Sequence, residues 1–515
     1  MKTLQLLLKP NIAALAYAMF MATNAAGIWG GVFPFLPFDM QSNALLFWFF
    51  LAQATLFFTT FLFVAALSYF LPPITARPLV VGAGAPYFLG WTLIIGAMYF
   101  PEARMPLLVF GGASLGAGSA GFYLLWQRLF MSKETNRGVA DLMMGTVYSA
   151  LIYFALYLIP RAITVYLIPF AFMPLFALAL VVSSREIDLS QPMFSDEPRK
   201  NRRVYRNTLR VLYRSGLGVA ALGFCTGCMR AAAIEQPEIG SYVNILSMAA
   251  LLAAACSILV IWRSRDVKFN PLAIFRALAP AALTSLALMP FLPATYTQWL
   301  SAVFYSIYGI ALLLMMIQTG QISRDLGVHP FFAYGLMGGI VYLMHDLGFV
   351  VGSAVELWGI YRPVRILLAL MMVYVLAIVY FLCNTSLKTT IAKAFSDDSI
   401  ELLALALTRR QRPDKAAIRS VSQEPSPPKP KPDTREHIFT DRLSKQMDAV
   451  RRAYGLSARE TEVAEAVARG KTVKRIAEEL FVSENTVRTH TRRIYAKLGI
   501  HKKSELIDLA QSTLR

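Results

Sequence analysis

Residues 472–498 read TVKRIAEELFVSENTVRTHTRRIYAKL, and this stretch predicts two short helices joined by a turn. Thr472 and Ser483 are good N-cap residues, because their side-chain oxygens accept hydrogen bonds from the first backbone N–H groups of a helix. Core-facing side chains follow each cap at helical spacing. They are Val473, Ile476, Ala477 and Leu480 in the first helix, and Val487, Thr491, Ile494 and Leu498 in the second. Two helices joined by about four residues form a helix-turn-helix.

The second helix carries polar side chains opposite its apolar stripe. At about 100° per residue, that opposite face presents Asn485, Arg488, Thr489, Arg492 and Ala496, with His490, Arg493 and Lys497 on the flanks. Arginine bonds guanine through two N–H groups, and short neighbouring side chains let a helix enter the major groove. A solvated cationic face is the alternative interpretation. The agreement of the turn, the two caps and the apolar stripe favours a helix that reads DNA.

The stretch from Leu456 to Ala510 resembles the LuxR-type, or GerE-type, DNA-binding domain. The resemblance is carried by LSARETEVAEAVARG, by the helix-turn-helix and by HKKSELIDLA. The positions on the family pattern are Glu460, Glu462, Val463, Gly470, Lys474, Ile476, Ala477, Leu480, Ser483, Thr486, Val487, His490, Ile494, Lys497 and Leu498. Val473 and Arg475 depart from that pattern. The resemblance covers about a tenth of the chain.

The resemblance implies roles for individual side chains and a partner, double-stranded promoter DNA. Base contacts are expected from Arg488, Thr489 and Arg492, and phosphate contacts from Thr472, Lys474, Thr486, His490 and Lys497. From His437 onward, sixteen Lys and Arg face ten Asp and Glu, a net charge of +6 that suits phosphate contacts. We expect a homodimer on DNA through the helix 503–511, although Leu506, Leu509 and Ala510 there equally fit a cover over the module's own core.

The rest of the chain is too apolar for an ordinary soluble protein, with 56% hydrophobic residues among 515. Its mean hydropathy is +0.50. The apolar residues form runs of about 20, the length of a transmembrane helix. The twelve runs are Ile12 to Phe35, Ala44 to Leu71, Leu79 to Phe100, Leu107 to Phe130, Val139 to Ile159, Ala162 to Val182, Gly216 to Ala233, Ile239 to Trp262, Leu272 to Phe291, Trp299 to Ile322, Phe331 to Val355 and Val364 to Cys383. The predicted fold is therefore all-α: a bundle of twelve transmembrane helices, then a small four-helix module.

Basic residues predict the orientation of this bundle. The central loop 183–215 contains eight of them: Arg185, Arg199, Lys200, Arg202, Arg203, Arg206, Arg210 and Arg214. The positive-inside rule then places both termini in the cytoplasm of a bacterial cell, with the bundle in the inner membrane. Six spans, a basic loop and six spans resemble the major facilitator transporters. The loop SYFLPPITARPLVVGAG lacks that family's Gly, Asp and basic cluster, so the resemblance implies architecture only.

Ionisable side chains at membrane depth are candidates for binding an unknown small ligand. His345, Asp346 and Arg230 are the predicted ligand residues, and adjacent helical positions diverge by about 100°, so only one of His345 and Asp346 should face a ligand. Other polar candidates for a central cavity are Asn24, Gln53, Gln127, Asn244 and Gln318. The alternative for Arg128, Asp141, Arg230 and Glu356 is that they reach the membrane surface.

Cys225 and Cys228 form a CxxC pair inside the seventh run, which raises the question of a redox or metal site. Cys256 and Cys383 also lie in apolar runs, and a packing role is favoured for all four. The sequence shows no spacing typical of a metal site, no Gly-rich phosphate loop and no catalytic constellation. We therefore expect neither an enzyme nor a cofactor.

The composition changes after the last run and predicts three regions. They are a membrane domain at 1–385, an amphipathic segment and Pro-rich charged linker at 386–438, and the DNA-binding domain at 439–515 with its core at 453–514. This organisation predicts a membrane-embedded one-component transcriptional regulator whose bundle senses a small ligand. The alternatives are a secondary transporter carrying a regulatory domain, and a bundle that only anchors the module.

Overall fold

The computed structural model describes most of both regions of the chain. The described residues are 11–29, 42–71, 76–133, 135–156, 158–189, 191–195, 198, 201–235, 237–265, 271–288, 291–292, 294–358, 362–384, 442–469, 472–480, 484–501, 505–506 and 509–510. All the regular secondary structure in these residues is helical. The described residues up to Tyr380 belong to one compact unit, and those from Gln446 onward belong to a second.

The membrane unit contains helices at each of the twelve predicted runs. They are α1 (Ile12–Asn24), α2 (Asn43–Phe70), α3 (Ala76–Tyr99), α4 (Arg104–Ser132), α5 (Thr135–Leu156), α6 (Arg161–Leu167), α7 (Met173–Ser184), α8 (Pro192–Ser195), α9 (Arg202–Glu235), α10 (Pro237–Arg265), α11 (Pro271–Leu288), α12 (Ala294–Leu326), α13 (Pro330–Trp358) and α14 (Arg362–Asn384). Ten helices in the described residues are long and apolar enough to cross a membrane, and the apolar parts of α1 and α11 are shorter. A multi-pass membrane domain is confirmed, and the number twelve stays a prediction.

Two runs contain π-helical turns that the sequence pattern did not predict. One turn, Ala25–Trp29, extends α1, and the other, Ile168–Phe172, joins α6 to α7. Pro169 lies in the second turn, and a proline cannot donate the backbone hydrogen bond that an α-helix requires. The sixth span is therefore helical throughout but changes its winding near its centre.

Helix pairing repeats between the two halves of the membrane unit. With α6 and α7 counted as one span, the first and fifth spans pack together as α1 and α5, and the seventh and eleventh as α9 and α13. The second and fourth spans, α2 and α4, correspond in the same way to α10 and α12. The two halves contact each other through α2 and α13, the second and eleventh spans, and through α10 and α5, the eighth and fifth spans. These two contacts correspond to each other, because the eighth span is the counterpart of the second and the eleventh is the counterpart of the fifth. This pattern is the one expected for a bundle built from two related six-helix repeats.

Glycines allow the closest of these pairings, between α9 and α13. A Cβ atom added at Gly227 of α9 would clash with the carbonyl oxygen of His345, and one added at Gly348 of α13 would clash with that of Phe224. Small residues let membrane helices approach until their backbones touch. The backbone of α9 is thus held directly against the part of α13 that contains His345.

The second unit contains four longer helices and part of a fifth. They are α15 (Arg442–Tyr454), α16 (Ala458–Ala468), α17 (Val473–Leu480) and α18 (Glu484–Leu498), and residues 505–506 and 509–510 are helical as well. The first helix in the predicted DNA-binding domain 439–515 thus begins at Arg442. The predicted amphipathic segment and linker, 386–438, and the turn 481–483 lie outside the described residues.

Local signals at the ends of these helices explain their boundaries. Ser457 and Glu460 form a capping box at the start of α16, each side chain accepting a hydrogen bond from the other's backbone N–H. Gly455 follows α15 with φ of 66°, and Gly499 follows α18 with φ of 64°. These left-handed conformations favour glycine and end a helix. The N–H of Leu456 donates to the Arg451 carbonyl (3.2 Å) in the hydrogen bond typical of this ending.

Candidate nucleic-acid interface and membrane cavity

One face of α18 belongs to the core of the second unit. Val487, Ile494 and Leu498 are buried there, as the apolar stripe predicts. The other buried apolar residues of this core include Met447, Val450, Val463, Ile476, Leu506 and Ala510. Since α18 packs against both α16 and α17, its apolar stripe faces these helices and its opposite face is turned outward.

The outward face of α18 contains the three predicted base-contacting residues. Arg488, Thr489 and Arg492 are all exposed. The Thr489 hydroxyl donates to the carbonyl oxygen of Asn485 (2.9 Å) in the preceding turn, which fixes this short side chain against the helix. Arg488 and Arg492 are four residues apart and so project from the same side of α18. The face combines two long forked donors with short neighbours.

The five predicted phosphate-contacting residues have different surroundings. Thr472 is exposed at the start of α17, and Thr486 and His490 are half-buried on α18. The side chain of Lys474 lies outside the described part of the structure. Lys497 is 43% exposed, and its Nζ donates to Oε2 of Glu460 at 2.7 Å. Lys497 therefore links α18 to α16, a contact that the sequence did not indicate.

Glu460 joins three parts of the module through one carboxylate. It accepts hydrogen bonds from Lys497 Nζ and from the backbone N–H of Ser457. Burial raises the pKa of Glu460, but the hydrogen bonds from Lys497 and Ser457 outweigh it and hold the pKa below its ordinary value. The carboxylate is therefore ionised at neutral pH and ties the ends of α16 and α18 together.

Arg459 is a structural residue that the sequence analysis missed. Its Nη1 donates to Oε2 of Glu462 (2.6 Å), and its Nη2 donates to the carbonyl oxygen of Leu480 (2.5 Å), the last residue of α17. The last carbonyls of a helix have no partner within the helix, so a cation at that position stabilises the end of α17. Arg459 and Leu480 are 21 residues apart in sequence, and no local pattern relates them.

The membrane unit contains a partly open central cavity of about 160 Å³, lined by residues from both six-helix halves. Its polar lining includes Gln53 of α2, Arg230 of α9, Asn244 of α10 and His345 of α13. All four are among the residues proposed from sequence to face a ligand. Asn24 and Gln127 instead bond to neighbouring helices, Asn24 accepting from Ser119 Oγ and Gln127 donating to the Met316 carbonyl.

His345 and Asp346 point in different directions, as expected for neighbours on a helix. His345 lines the central cavity, where its ring is parallel to that of Tyr308 within 15° at a centroid distance of 6.0 Å. Asp346 is buried and accepts a hydrogen bond from Thr55 Oγ1 of α2 at 3.1 Å. It is not a lining residue. Of the two, His345 is placed to touch a ligand.

Arg230, Arg128 and Asp141 are all buried, and whether they lie at membrane depth or at the membrane surface stays a prediction. Arg230 is 6% exposed, Arg128 is 2% exposed and Asp141 is 8% exposed. Each has partners inside the bundle: Arg230 stacks on Phe50, Arg128 lies over the rings of Phe194 and Phe331, and Asp141 binds Lys133 at 2.7 Å. The partners of Arg230 and Arg128 come from distant parts of the chain, whereas Lys133 and Asp141 are only eight residues apart. The side chain of Glu356 lies outside the described residues.

Cys225 and Cys228 are buried free thiols on α9. The Cys225 thiol donates to the Met372 carbonyl at 3.8 Å, and the backbone of Cys228 lies against Gly352 of α13. Within the described residues, no group of three His, Cys, Asp or Glu side chains is placed to hold a metal ion. The surroundings of the pair agree with a packing role.

Residues 455–510 match the family described as "Bacterial regulatory proteins, luxR family". These residues therefore form a luxR-family domain. The matched segment coincides with the helix-turn-helix unit described above, so the predicted resemblance is confirmed.

Three relatives illustrate the range of proteins that contain a similar luxR-family domain. The probable transcriptional regulatory protein NarL of Mycobacterium tuberculosis is 44% identical over 52 residues, 10% of this chain and 24% of NarL. The Fimbriae Z protein of Salmonella typhimurium is 46% identical over 57 residues, 11% of this chain and 27% of that protein. The oxygen regulatory protein NreC of Staphylococcus aureus is 47% identical over 55 residues, 11% of this chain and 25% of NreC. The chain thus spans about a quarter of the length of the curated relatives it matches.

Solved structures align with the part of the chain outside the luxR-family domain. A bacterial homologue of the iron transporter ferroportin in the outward-facing state covers 73% of this chain and 99% of its own, with 12% identity and a TM-score of 0.49. FucP, a Major Facilitator Superfamily transporter in the outward conformation, covers 74% of this chain and 100% of its own, with 13% identity and a TM-score of 0.47. These similarities are weak, and they do not indicate what the membrane helices bind or move.

Proposed function

We propose that the protein is a membrane-embedded one-component transcriptional regulator. In this proposal the membrane bundle binds a small ligand in the central cavity, and the luxR-family domain binds promoter DNA. The observation that carries the proposal is the presence, in one chain, of a membrane bundle whose largely apolar central cavity includes a few polar side chains and of a helix, α18, with an exposed basic face. A sensor and its output would then be covalently joined, without a separate signalling partner.

The construction of the central cavity supports a sensing role. Its lining comes from both halves of the bundle, so a ligand there contacts both halves at once. A ligand shifts a conformational equilibrium only by its difference in affinity for the two states. A cavity shared by the two halves would provide that difference, because any movement of one half against the other changes the contacts of a ligand bound between them.

The output role rests on the face of α18. The proposed base contacts are Arg488, Thr489 and Arg492. The proposed phosphate contacts are Thr472, Lys474, Thr486, His490 and Lys497. One recognition helix reads few base pairs, so two copies of the chain are proposed to bind a promoter together through the helix 503–511. Both termini are proposed to lie in the cytoplasm, where the promoter is.

Genome-wide mapping of the sites bound by the full-length protein tests the proposal. Occupancy should depend on a small molecule in cells that express the unaltered chain, and Arg230→Gln should abolish this dependence because it alters the cavity. Arg492→Ala should lower occupancy of the preferred promoters with or without the molecule. Occupancy that is unaffected by every compound tested and by Arg230→Gln would contradict sensing.

Transport is the second candidate function, because a cavity shared by two repeated halves also suits alternating access. Saturable uptake of a compound into vesicles that contain the purified chain, abolished by Asp346→Asn, would favour this alternative. Binding without uptake would favour the regulator.

A further inference from the structure

We propose that the amino-terminal end of α9 binds an anionic phospholipid of the adjacent bilayer leaflet, with Arg206 and Arg210 on the lipid phosphate. In the proposed orientation this is the inner leaflet. Binding at this surface requires only that the bundle spans a membrane, and it is independent of any ligand in the central cavity. Three features of α9 support it: the length of the helix, the burial of one face and the order of the side chains along the other.

The helix α9 is longer than a membrane span requires. It has 34 residues, which extend about 51 Å at 1.5 Å per residue, whereas the hydrocarbon core of a bilayer is about 30 Å thick. The apolar run in this helix begins at Gly216, so the excess length lies at the amino-terminal end, from Arg202 to Ser215. These residues continue the helix from the hydrocarbon into the headgroup region and beyond it.

One face of this amino-terminal end is held by neighbouring helices. Val204 and Tyr205 are buried in a cluster with Val328. The Tyr205 ring packs edge-on against Phe332 of α13, with 4.8 Å between the centroids, and against Tyr69 of α2, with 5.7 Å between the centroids. Contacts with two helices fix the rotation of α9 about its own axis, and its opposite face is therefore turned outward.

The outward face carries four exposed arginines within nine residues: Arg202, Arg203, Arg206 and Arg210. None of these four has an ion-pair partner among the described residues. Residues 201–217 contain no Asp or Glu. Basic clusters directly beside a transmembrane helix attract anionic lipids, because each cation near the membrane surface lowers the free energy of binding. The charge of this face favours an anionic partner.

The same face changes from basic to apolar along the helix, which identifies the partner as a lipid. At about 100° per residue, six exposed side chains fall within about 100° of one another: Arg202, Arg203, Arg206, Arg210, Tyr213 and Leu217. Tyr213 is 49% exposed and Leu217 is 42% exposed. Tyrosine is enriched at the level of the headgroups, and an exposed leucine within a spanning helix faces lipid tails. A phospholipid presents the matching order, from phosphate to acyl chain.

The spacing of these side chains along α9 matches the depth of a headgroup. Arg210 lies about 5 Å further out than Tyr213, and Arg206 lies about 10 Å further out. The headgroup region of one leaflet is about 5 to 8 Å thick. With Tyr213 at its inner boundary, Arg210 lies within this region and Arg206 at its outer edge, where a guanidinium can bind a phosphate through two N–H donors. Arg202 and Arg203 lie in the water beyond.

Two lipids with identical acyl chains test the proposal: phosphatidylglycerol, which is anionic, and phosphatidylcholine, which has no net charge. Each is titrated into the full-length chain purified in an uncharged detergent, and the thermal unfolding temperature is measured. Phosphatidylglycerol should raise this temperature in a saturable way, and phosphatidylcholine should require a concentration roughly tenfold higher or more. Equal effects of the two lipids, or no effect of phosphatidylglycerol, would overturn the proposal.

A soluble anion with the same phosphate chemistry separates a lipid from a free phosphate. Glycerol 3-phosphate lacks acyl chains and cannot contact the apolar part of the face at Leu217, so it should leave the unfolding temperature unchanged. A shift equal to that of phosphatidylglycerol would show that the arginines bind soluble phosphates and would overturn the assignment to a lipid.

Two double substitutions that remove the same charge from the same helix locate the site. Arg206→Gln combined with Arg210→Gln should weaken the binding of phosphatidylglycerol roughly tenfold or more. Arg202→Gln combined with Arg203→Gln is the matched control and should weaken it less, because these residues lie beyond the headgroups and salt screens charges over about 8 Å. Equal losses in the two variants would assign the effect to the net charge of the helix and overturn the site. The two lipids compared on the unaltered chain keep the proposal falsifiable even if a variant fails to fold.

Discussion

Arg488 and Arg492 stand one turn apart on α18, and in the proposed binding mode the short side chain between them lets both reach a DNA groove. Thr489 is short and bonded to its own helix, so it does not block the approach of the backbone to the bases. Phosphate contacts position a protein on DNA, whereas base contacts specify the sequence. The two arginines should therefore decide which promoter is bound, and the flanking residues should decide how strongly.

Replacing Arg492 by Ala should weaken binding to the preferred promoter by about 1 to 3 kcal/mol and relax the preference at one base pair. The measurement is a binding assay of the full-length chain against a library of promoter variants at fixed salt. Arg493→Ala is the control, because Arg493 is exposed on the flank of the same helix and should weaken all sequences alike. Unchanged sequence preference in Arg492→Ala would show that another face of α18 reads the bases.

Lys497 has two candidate roles, one toward phosphate and one toward Glu460. The ion pair with Glu460 is only partly shielded from water, because Lys497 is 43% exposed. Solvent screening limits the contribution of such a pair to about 1 kcal/mol or less. Lys497→Ala should weaken binding to all sequences alike and flatten the dependence on salt if the phosphate role holds.

The lowered pKa of Glu460 predicts a pH dependence of the module's stability. A carboxyl group whose pKa is lower in the folded state than in the unfolded state stabilises the fold above the unfolded pKa, which is about 4.3 for Glu. This stabilisation is lost as the pH falls through the lower, folded value. Hydrogen exchange of the α18 amides in the full-length chain, corrected for intrinsic rates, should therefore show protection that decreases below about pH 4.3. In Glu460→Gln this part of the pH dependence should disappear, and its persistence would assign the effect to another group.

The pairing of α9 with α13 brings the two cavity residues Arg230 and His345 to neighbouring positions. Gly227 lies against the carbonyl of His345, and Arg230 follows Gly227 by less than one turn. Rigid contact between helix backbones leaves little freedom for sliding, because a well-packed interface does not deform continuously. The geometry of the cavity is therefore set by packing between helices. The positions of the lining side chains depend on residues outside the lining, such as Gly227.

Replacing Gly227 by Ala should disturb this pairing. The added methyl group would meet the carbonyl oxygen of His345, a backbone atom that cannot rotate away, and overpacking of this kind costs about 1 to 3 kcal/mol. A lower thermal unfolding temperature of the purified chain would show it. Gly82→Ala in α3 is the matched control, because a Cβ at Gly82 has no atom within 4 Å. Equal unfolding temperatures for the two variants would show that α9 and α13 can separate without loss of stability.

At the scale of the whole molecule, the chain combines two units with opposite solvent requirements. The membrane unit exposes large apolar side chains such as Phe63, Phe110 and Tyr374 along its helices. The luxR-family domain exposes arginines on α18. Apolar side chains are stable in lipid and arginines in water, so the membrane unit and the luxR-family domain require different surroundings.

The proposed orientation predicts the behaviour of topology reporters. Alkaline phosphatase fused after Arg515 should be inactive, since the enzyme requires export, and a fluorescent protein fused there should be bright. A phosphatase fusion after Glu102, in a loop predicted to lie outside, should be active and serves as the control. Active phosphatase at Arg515 would place the luxR-family domain away from DNA and contradict the proposed function.

The sequence by itself determined the type and approximate position of the elements. Apolar runs of about 20 residues, helix caps such as Ser457 and glycines such as Gly499 act over one or two turns, so neighbours in sequence carry the information. The buried stripe and exposed face of α18 follow from the same periodicity. For this reason the luxR-family domain and its candidate base-contacting face were predicted in detail.

Only the tertiary structure decided how distant residues meet. The central cavity combines Gln53, Arg230 and His345 from three helices, and the burial of Arg128 depends on Phe194 and Phe331. These contacts join residues separated by tens or hundreds of positions, and helical periodicity specifies which way a side chain faces but not which helix it meets. The lining and the volume of the cavity depend on which helices meet, because the cavity is a space between helices and no single helix determines it.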